Sequence, residues 1–233
     1  MNETLFSQGL SQLSITASET QLSQFAAYST LLKEWNEKMN LTAIVDDDGI
    51  AVKHFLDSVL PLAHVTVPES AALADVGTGA GFPGVPLKIL RPDLSVTLID
   101  SLQKRIRFLE TVTDQLSLAD VTCIHGRAEE LGKDKAYREQ FDILVSRAVA
   151  NLKVLCEYCL PFVKPNGLFV ALKAEDIEQE LKDAKPMIGT LGGTVEEIIQ
   201  APLPMSDMTR TLLVIRKTAP TPPQFPRRAN KIK

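Results

Sequence analysis

Apolar positions in the first 67 residues recur at helical spacing. Leu22, Phe25, Ser29, Leu32, Trp35 and Met39 share one mostly apolar face, and Ser18-Glu19-Thr20-Gln21 ahead of them places the hydroxyl and amide of a capping box. A second helix is predicted over 50–62, with Asp46, Asp47 and Asp48 near its N-terminus and Pro68 as the breaker beyond it. From residue 71 the period changes. Short apolar runs at 71–76, 94–100, 121–124, 141–146 and 168–172 are bounded by Gly, Pro, Asp or Ser and read as strands. Helical or partly helical patterns at 85–90, 103–115, 129–131 and 152–160 lie between them. Such alternation implies right-handed crossovers and a parallel sheet. Two last β-rich runs, 194–200 and 209–217, are joined by Ala201-Pro202-Leu203-Pro204 with no helix between, so they are expected to pair antiparallel.

The expected architecture is therefore α/β, a mostly parallel seven-stranded sheet with a reversed last strand, of the Rossmann-like kind found in class I methyltransferases. The predicted organisation is an N-terminal helical extension (1–67), a sheet domain (68–217) and a C-terminal tail (218–233). Composition fits this picture. At 233 residues and 45% hydrophobic, the chain can build a core without disulfides or metals. No apolar run is long enough to cross a bilayer, and the N-terminus lacks the pattern of a secretory signal, so a cytoplasmic protein is expected. Cys156 and Cys159 form a C-x-x-C with no second pair to complete a metal set, and read as buried thiols in a helix. No metal is expected. Net charge is −4 but uneven: from Met205 onward seven cations face one acid (+7 − 1 = +6), leaving −10 on the rest. The basic end reads either as an arm for a polyanion or as a solubilising tail.

The chemistry concentrates in Asp75-Val76-Gly77-Thr78-Gly79-Ala80-Gly81-Phe82-Pro83-Gly84, between a strand and a helix. Glycine tolerates positive φ and puts no Cβ between backbone and ligand. At the carboxyl edge of a parallel sheet, this turn is where a nucleotide-type cofactor binds. Asp100 ends the next strand, 23 residues after Gly77, and is placed to accept hydrogen bonds from ribose hydroxyls. That feature suits NAD and S-adenosylmethionine equally. The glycine spacing departs from G-x-G-x-x-G, and Phe82 and Pro83 reduce the N–H groups available to a pyrophosphate, which favours S-adenosylmethionine. Gly126-Arg127-Ala128-Glu129 follows the third strand, where backbone N–H groups and a carboxylate can meet an adenine edge. Arg147 ends the fourth strand at the same edge, as a positioning residue or as an ion-pair partner of Asp75 or Asp100. No side-chain general base is expected, because methyl transfer to a free nitrogen lone pair depends chiefly on alignment.

On these residues the chain resembles the bacterial 16S rRNA guanine-N7 methyltransferases, the glucose-inhibited division protein B family. The resemblance covers nearly the whole chain: Trp35–Ile44, Lys53–Ser58, Asp75–Pro86, Asp100–Arg105 and Ser146–Ala150 follow one another in the family's order. It implies methylation of a guanosine at N7 in the decoding-region hairpin, with 16S rRNA or the small ribosomal subunit as partner. It also implies cofactor contacts from Gly77, Phe82, Ala128, Glu129 and Arg147, beside Gly79 and Asp100. Lys104, Arg105, Lys173, Arg210, Arg227 and Arg228 are the expected RNA contacts. The chain departs from the family at Ala174, where glycine is usual, and in its tail, Pro226–Lys233. His54 and His125 are assigned no role, and a monomer is expected. The competing readings are a methyltransferase for another substrate, an NAD-dependent oxidoreductase, and a non-catalytic ribosome-binding protein.

Overall fold

The computed structural model describes residues 1–147, 150–174, 176–228 and 231–232. Of the residues singled out above, Ala148, Val149, Ala229, Asn230 and Lys233 lie outside that description. Seven strands, β1 (Ala72–Val76), β2 (Ser95–Asp100), β3 (Val121–His125), β4 (Phe141–Arg147), β5 (Val163–Lys173), β6 (Gly193–Pro202) and β7 (Thr209–Lys217), form one sheet in the order β3-β2-β1-β4-β5-β7-β6. The β1 to β5 neighbours pair in parallel, whereas β7 runs antiparallel to both β5 and β6. The sheet is thus mostly parallel with a reversed last strand, as the alternation and the short Ala201–Pro204 link predict.

The strand order reverses between β1 and β4, which opens a crevice at their carboxyl ends. Both sheet faces are covered. Alternate residues of β1 and β2 face opposite ways: Leu73 and Leu98 enter one core, Ala74, Val76 and Ile99 the other. The first core includes the N-terminal helices α1 (Glu3–Gln12), α2 (Glu19–Met39) and α4 (Asp57–His64), with the short α3 (Asp47–Gly49) between α2 and α4 in the chain. Phe6, Phe25 and Phe55 pack there with ring centroids 4.6 to 5.9 Å apart. Ser18 caps α2 in the predicted reciprocal box with Gln21. Gln21 also donates to the Ile89 carbonyl at 2.7 Å, at the end of α5 (Gly84–Leu90), and Gln24 to that of Leu116 at 2.8 Å, just beyond α6 (Gln103–Gln115). These bonds tie α2 to the ends of α5 and α6.

The second core lies under α8 (Leu152–Cys159) and α9 (Glu178–Thr190). Cys156 and Cys159 are fully buried in α8, as expected of ordinary core thiols, and burial pushes the Cys156 thiol up to about 12. Three elements differ from the sequence reading. The helix predicted over 50–62 begins as a π-helical turn, Ile50–Leu56, before α4. Helix α9 is additional; its Pro186 and sparse buried positions (Leu181, Ala184, Ile188) weaken the periodic signal. Residues 218–228 do not form a free arm: the Arg138 guanidinium donates to the carbonyls of Thr221, Pro222 and Phe225 at 2.6 to 3.2 Å, and Phe225 enters the second core.

Candidate cofactor and acceptor site

The glycine turn is held by its own hydrogen bonds. Asp75, fully buried at the end of β1, accepts from Thr78 Oγ1 at 2.7 Å and from the Gly84 N–H at 2.8 Å. Gly77 and Thr78 donate to the Ile99 carbonyl, Gly81 and Phe82 to that of Thr78, and Gly79 to Asp100 Oδ2 at 3.0 Å. Three of these glycines, Gly77, Gly79 and Gly81, have positive φ. Gly79 sits at φ +63°, and a Cβ there would meet only the Gly77 carbonyl at 4.0 Å, so it faces open space over the crevice. Gly81 sits at φ +96°, where a Cβ would come within 2.5 Å of Tyr28 Oη. Tyr28 itself donates to the Ala80 carbonyl, so α2 buttresses the turn from behind.

Above the turn lies a cavity of about 550 Å³. Its walls include Gly77, Gly79, Phe82, Asp100, Ala128, Glu129 and Arg147, so all seven expected cofactor contacts come together there. Asp100, at the end of β2, is 3% exposed and accepts from Arg105 at 3.2 Å and from the Leu102 N–H at 2.9 Å. Glu129 stands in the short α7 (Ala128–Leu131), with Arg127 at 3.7 Å. The carboxylates thus lie at or just beyond the carboxyl ends of β2 and β3, the two successive strands outward from β1. This suits an adenosine: Asp100 for ribose hydroxyls, Glu129 and the adjacent backbone for the base.

Arg147 is oriented differently from expectation. Its partner is neither Asp75 nor Asp100 but Asp57, whose Oδ2 lies 2.9 Å away. The same guanidinium donates to Ser58 Oγ and to the Lys53 and His54 carbonyls at 3.3 to 3.4 Å, and lies 5.0 Å from the centre of the Phe82 ring. The π-helical turn Ile50–Leu56 brings these carbonyls, with Asp57 just after it, to the end of β4. Asp57 is 4% exposed, and its Oδ1 accepts from Arg210 at 2.8 Å. Asp57 lies within the Lys53–Ser58 stretch of the resemblance, but nothing in that stretch gave it a role.

His54 also belongs to the site. It is buried, stacks on Phe82 with centroids 4.5 Å apart and planes 11° apart, and meets Thr42 Oγ1 at 2.8 Å. Burial, and then the Arg147 charge, depress its pKa to about 3, so the ring is neutral. A histidine whose folded pKa lies below its ordinary value contributes stability that is complete above about 6.5 and lost as pH falls below it. Unfolding in urea at pH 7 and pH 5 is expected to differ by about 2 kcal/mol on account of this residue (1.5 units at ~1.36 kcal/mol each). His54→Gln should remove that part of the difference. An unchanged slope would mean that the buried imidazole is not the acid-sensitive group.

The expected RNA contacts fall into two groups. Arg105 pairs with Asp100, Lys173 with Glu180 at 2.7 Å, Arg210 with Asp57, and Arg227 with the fully buried Glu157 through two nitrogens at 2.6 and 2.9 Å. These four are drawn into intramolecular ion pairs. Lys104 and Arg228 are exposed, Lys104 with its Nζ 3.5 Å from the Met39 carbonyl. Among the described residues no group of three or more His, Cys, Asp or Glu side chains is placed to hold a metal ion, and no helix is long and apolar enough to cross a membrane.

Comparison with known proteins shows the family and the fold. The chain is similar to the ribosomal RNA small subunit methyltransferase G of Acetivibrio thermocellus, 48% identical over 227 residues that cover 97% of this chain and 93% of that protein. It is 49% identical to the protein of the same name from Alkaliphilus oremlandii, covering 97% and 95%. Among solved structures, a SAM-dependent methyltransferase from Aquifex aeolicus superposes with a TM-score of 0.55 at 15% identity over 81% of this chain and 98% of that one. M. jannaschii TYW2 in complex with AdoMet gives 0.55 at 16% identity, over 75% and 77%. At such identities the structures speak for the class I methyltransferase fold alone. The family model described as rRNA small subunit methyltransferase G matches residues 21–204, and the chain belongs to that family.

Proposed function

We propose that the chain transfers a methyl group from S-adenosylmethionine to N7 of a guanosine in the decoding-region hairpin of 16S rRNA, as a cytoplasmic monomer. The observation that carries the cofactor is the hydrogen bonding of the turn. Six of its N–H groups, those of Gly77, Thr78, Gly79, Gly81, Phe82 and Gly84, are already donated within the molecule, and Pro83 has none. A dinucleotide pyrophosphate needs such donors; S-adenosylmethionine has no phosphate. When bound, it supplies an electrophilic methyl group on a sulfonium. Asp100 holds the ribose, Ala128 and Glu129 meet the adenine, and Phe82 with Arg147 closes the far wall. Guanine N7 carries an in-plane lone pair and loses no proton on methylation, so a site without a general base is sufficient.

The rRNA substrate rests on family membership. Labelled donor incubated with 30S subunits from a strain lacking the gene is expected to mark one guanosine of 16S rRNA in the decoding hairpin. Titration calorimetry is expected to show binding of S-adenosylmethionine and none of NAD. Tight NAD binding without S-adenosylmethionine binding would overturn the cofactor, and label mapping elsewhere would overturn the position.

A further inference from the structure

A second cavity, about 470 Å³, lies against the far wall of the cofactor cavity. The two share His54 and Arg147. The remaining walls of the second come from the π-helical turn and α4, the end of β5, the start of α9, and β7. Its size suits one nucleoside-sized group and not a folded segment. Leu172 and Ile177, both buried, line it with apolar surface.

Its charges are mostly matched in pairs: Asp57 with Arg147 and Arg210, Glu180 with Lys173, leaving Lys53 and Asp176 exposed. Among the described lining residues four cations therefore meet three carboxylates, an excess of +1. That balance admits a nucleotide with its phosphodiester and disfavours a cationic amine or guanidine as acceptor. One buried polar atom in the shared wall, His54 Nδ1, has no hydrogen-bond partner.

On the reading that the chain methylates guanine, we propose that this second cavity receives the target nucleoside of the RNA, turned out of its stack so that the edge bearing N7 and O6 reaches the cofactor cavity past His54 and Arg147, the two residues that line both. Extrusion into a pocket is the general solution for chemistry on a single base. The wall also selects the base. Guanine presents the O6 acceptor beside N7, whereas adenine presents the N6 amino group, a donor that an arginine cannot satisfy.

Ala174 and Lys53 are both exposed, line this cavity and not the cofactor cavity, and stand on different elements around it. Ala174→Trp and Lys53→Trp each fill it without removing a buried group. The test measures the S-adenosylmethionine Kd by calorimetry and methylation kinetics on 30S subunits for each variant. We expect kcat/KM to fall at least about 100-fold with the cofactor Kd within about twofold of the unaltered chain. Near-normal methylation by both variants overturns the cavity assignment and leaves the methyltransferase reading intact. Loss of cofactor binding in both overturns it as a separate acceptor site. Failure of the unaltered chain to methylate either 30S subunits or naked 16S rRNA overturns the underlying function, and the cavity assignment with it.

Discussion

Alanine at position 100 is expected to weaken S-adenosylmethionine binding by at least about 100-fold, close to 3 kcal/mol. Hydrogen bonds to a charged partner contribute roughly 1.5–3 kcal/mol each, and on the reading above the Asp100 carboxylate accepts from ribose hydroxyls. It also orders its own surroundings, because its oxygens hold the N–H groups of Gly79 and Leu102. The loss is thus both a missing contact and a looser turn. Asp100→Asn keeps one carbonyl oxygen and no charge, and should cost about tenfold. The side chain left behind, Arg105, is about one-third exposed and can hydrate, so the fold itself should survive. Calorimetric titration checks affinity, and circular dichroism checks integrity. A Kd for the alanine variant within threefold of the unaltered chain would remove Asp100 from the cofactor site.

The second large effect is on stability. Arg227→Ala leaves the Glu157 carboxylate fully buried with the Arg227 backbone N–H as its remaining bond from the tail. Removing one partner of a buried ion pair costs more than the pair contributes, because the other charge stays desolvated. A loss of about 3 kcal/mol in urea unfolding is expected. Glu157→Gln combined with Arg227→Ala should recover part of it, since the orphaned charge is then gone. A tail that merely solubilises the protein would give under about 0.5 kcal/mol, and that result would detach residues 218–228 from the fold.

What the sequence makes legible depends on range. The seven strands follow from local apolar runs and their boundaries, and the Asp75–Gly84 turn, Asp100 and Glu129 from short spacings along the chain. The reversed β7 follows from the absence of a helix between two β-rich runs. Other features leave no such signature. The π-helical turn inserts a residue into the ladder, and over 50–62 this is absorbed by an otherwise ordinary apolar face. Asp57 reaches Arg147 and Arg210 over 90 and 153 positions, and nothing in the composition around Asp57 announces either. The basic end illustrates the same limit. Its charge excess is visible in the sequence, yet Arg210 and Arg227 spend their charge on carboxylates of distant elements. Local counts cannot distinguish such cations from ones that face a ligand. The sequence gives His54 no role for a related reason: its importance lies in Phe82 and Thr42 beside it, not in its neighbours along the chain.

The sheet order has a consequence for how the chain is made. Strands β1 to β5 can assemble in the order in which they leave the ribosome, each beside a partner already synthesised. The next strand out, β6, has no place against β5, because β7 lies between them. Until residues 209–217 emerge, the outer edge of β5 stays open, and such an edge is where nascent chains pair with one another. Arg210, which steadies Asp57 from β7, arrives in the same late stretch. Closing the exposed edge and completing the support behind Arg147 therefore fall within one event, the emergence and docking of β7, which keeps a chain without β7 from acquiring a supported Arg147.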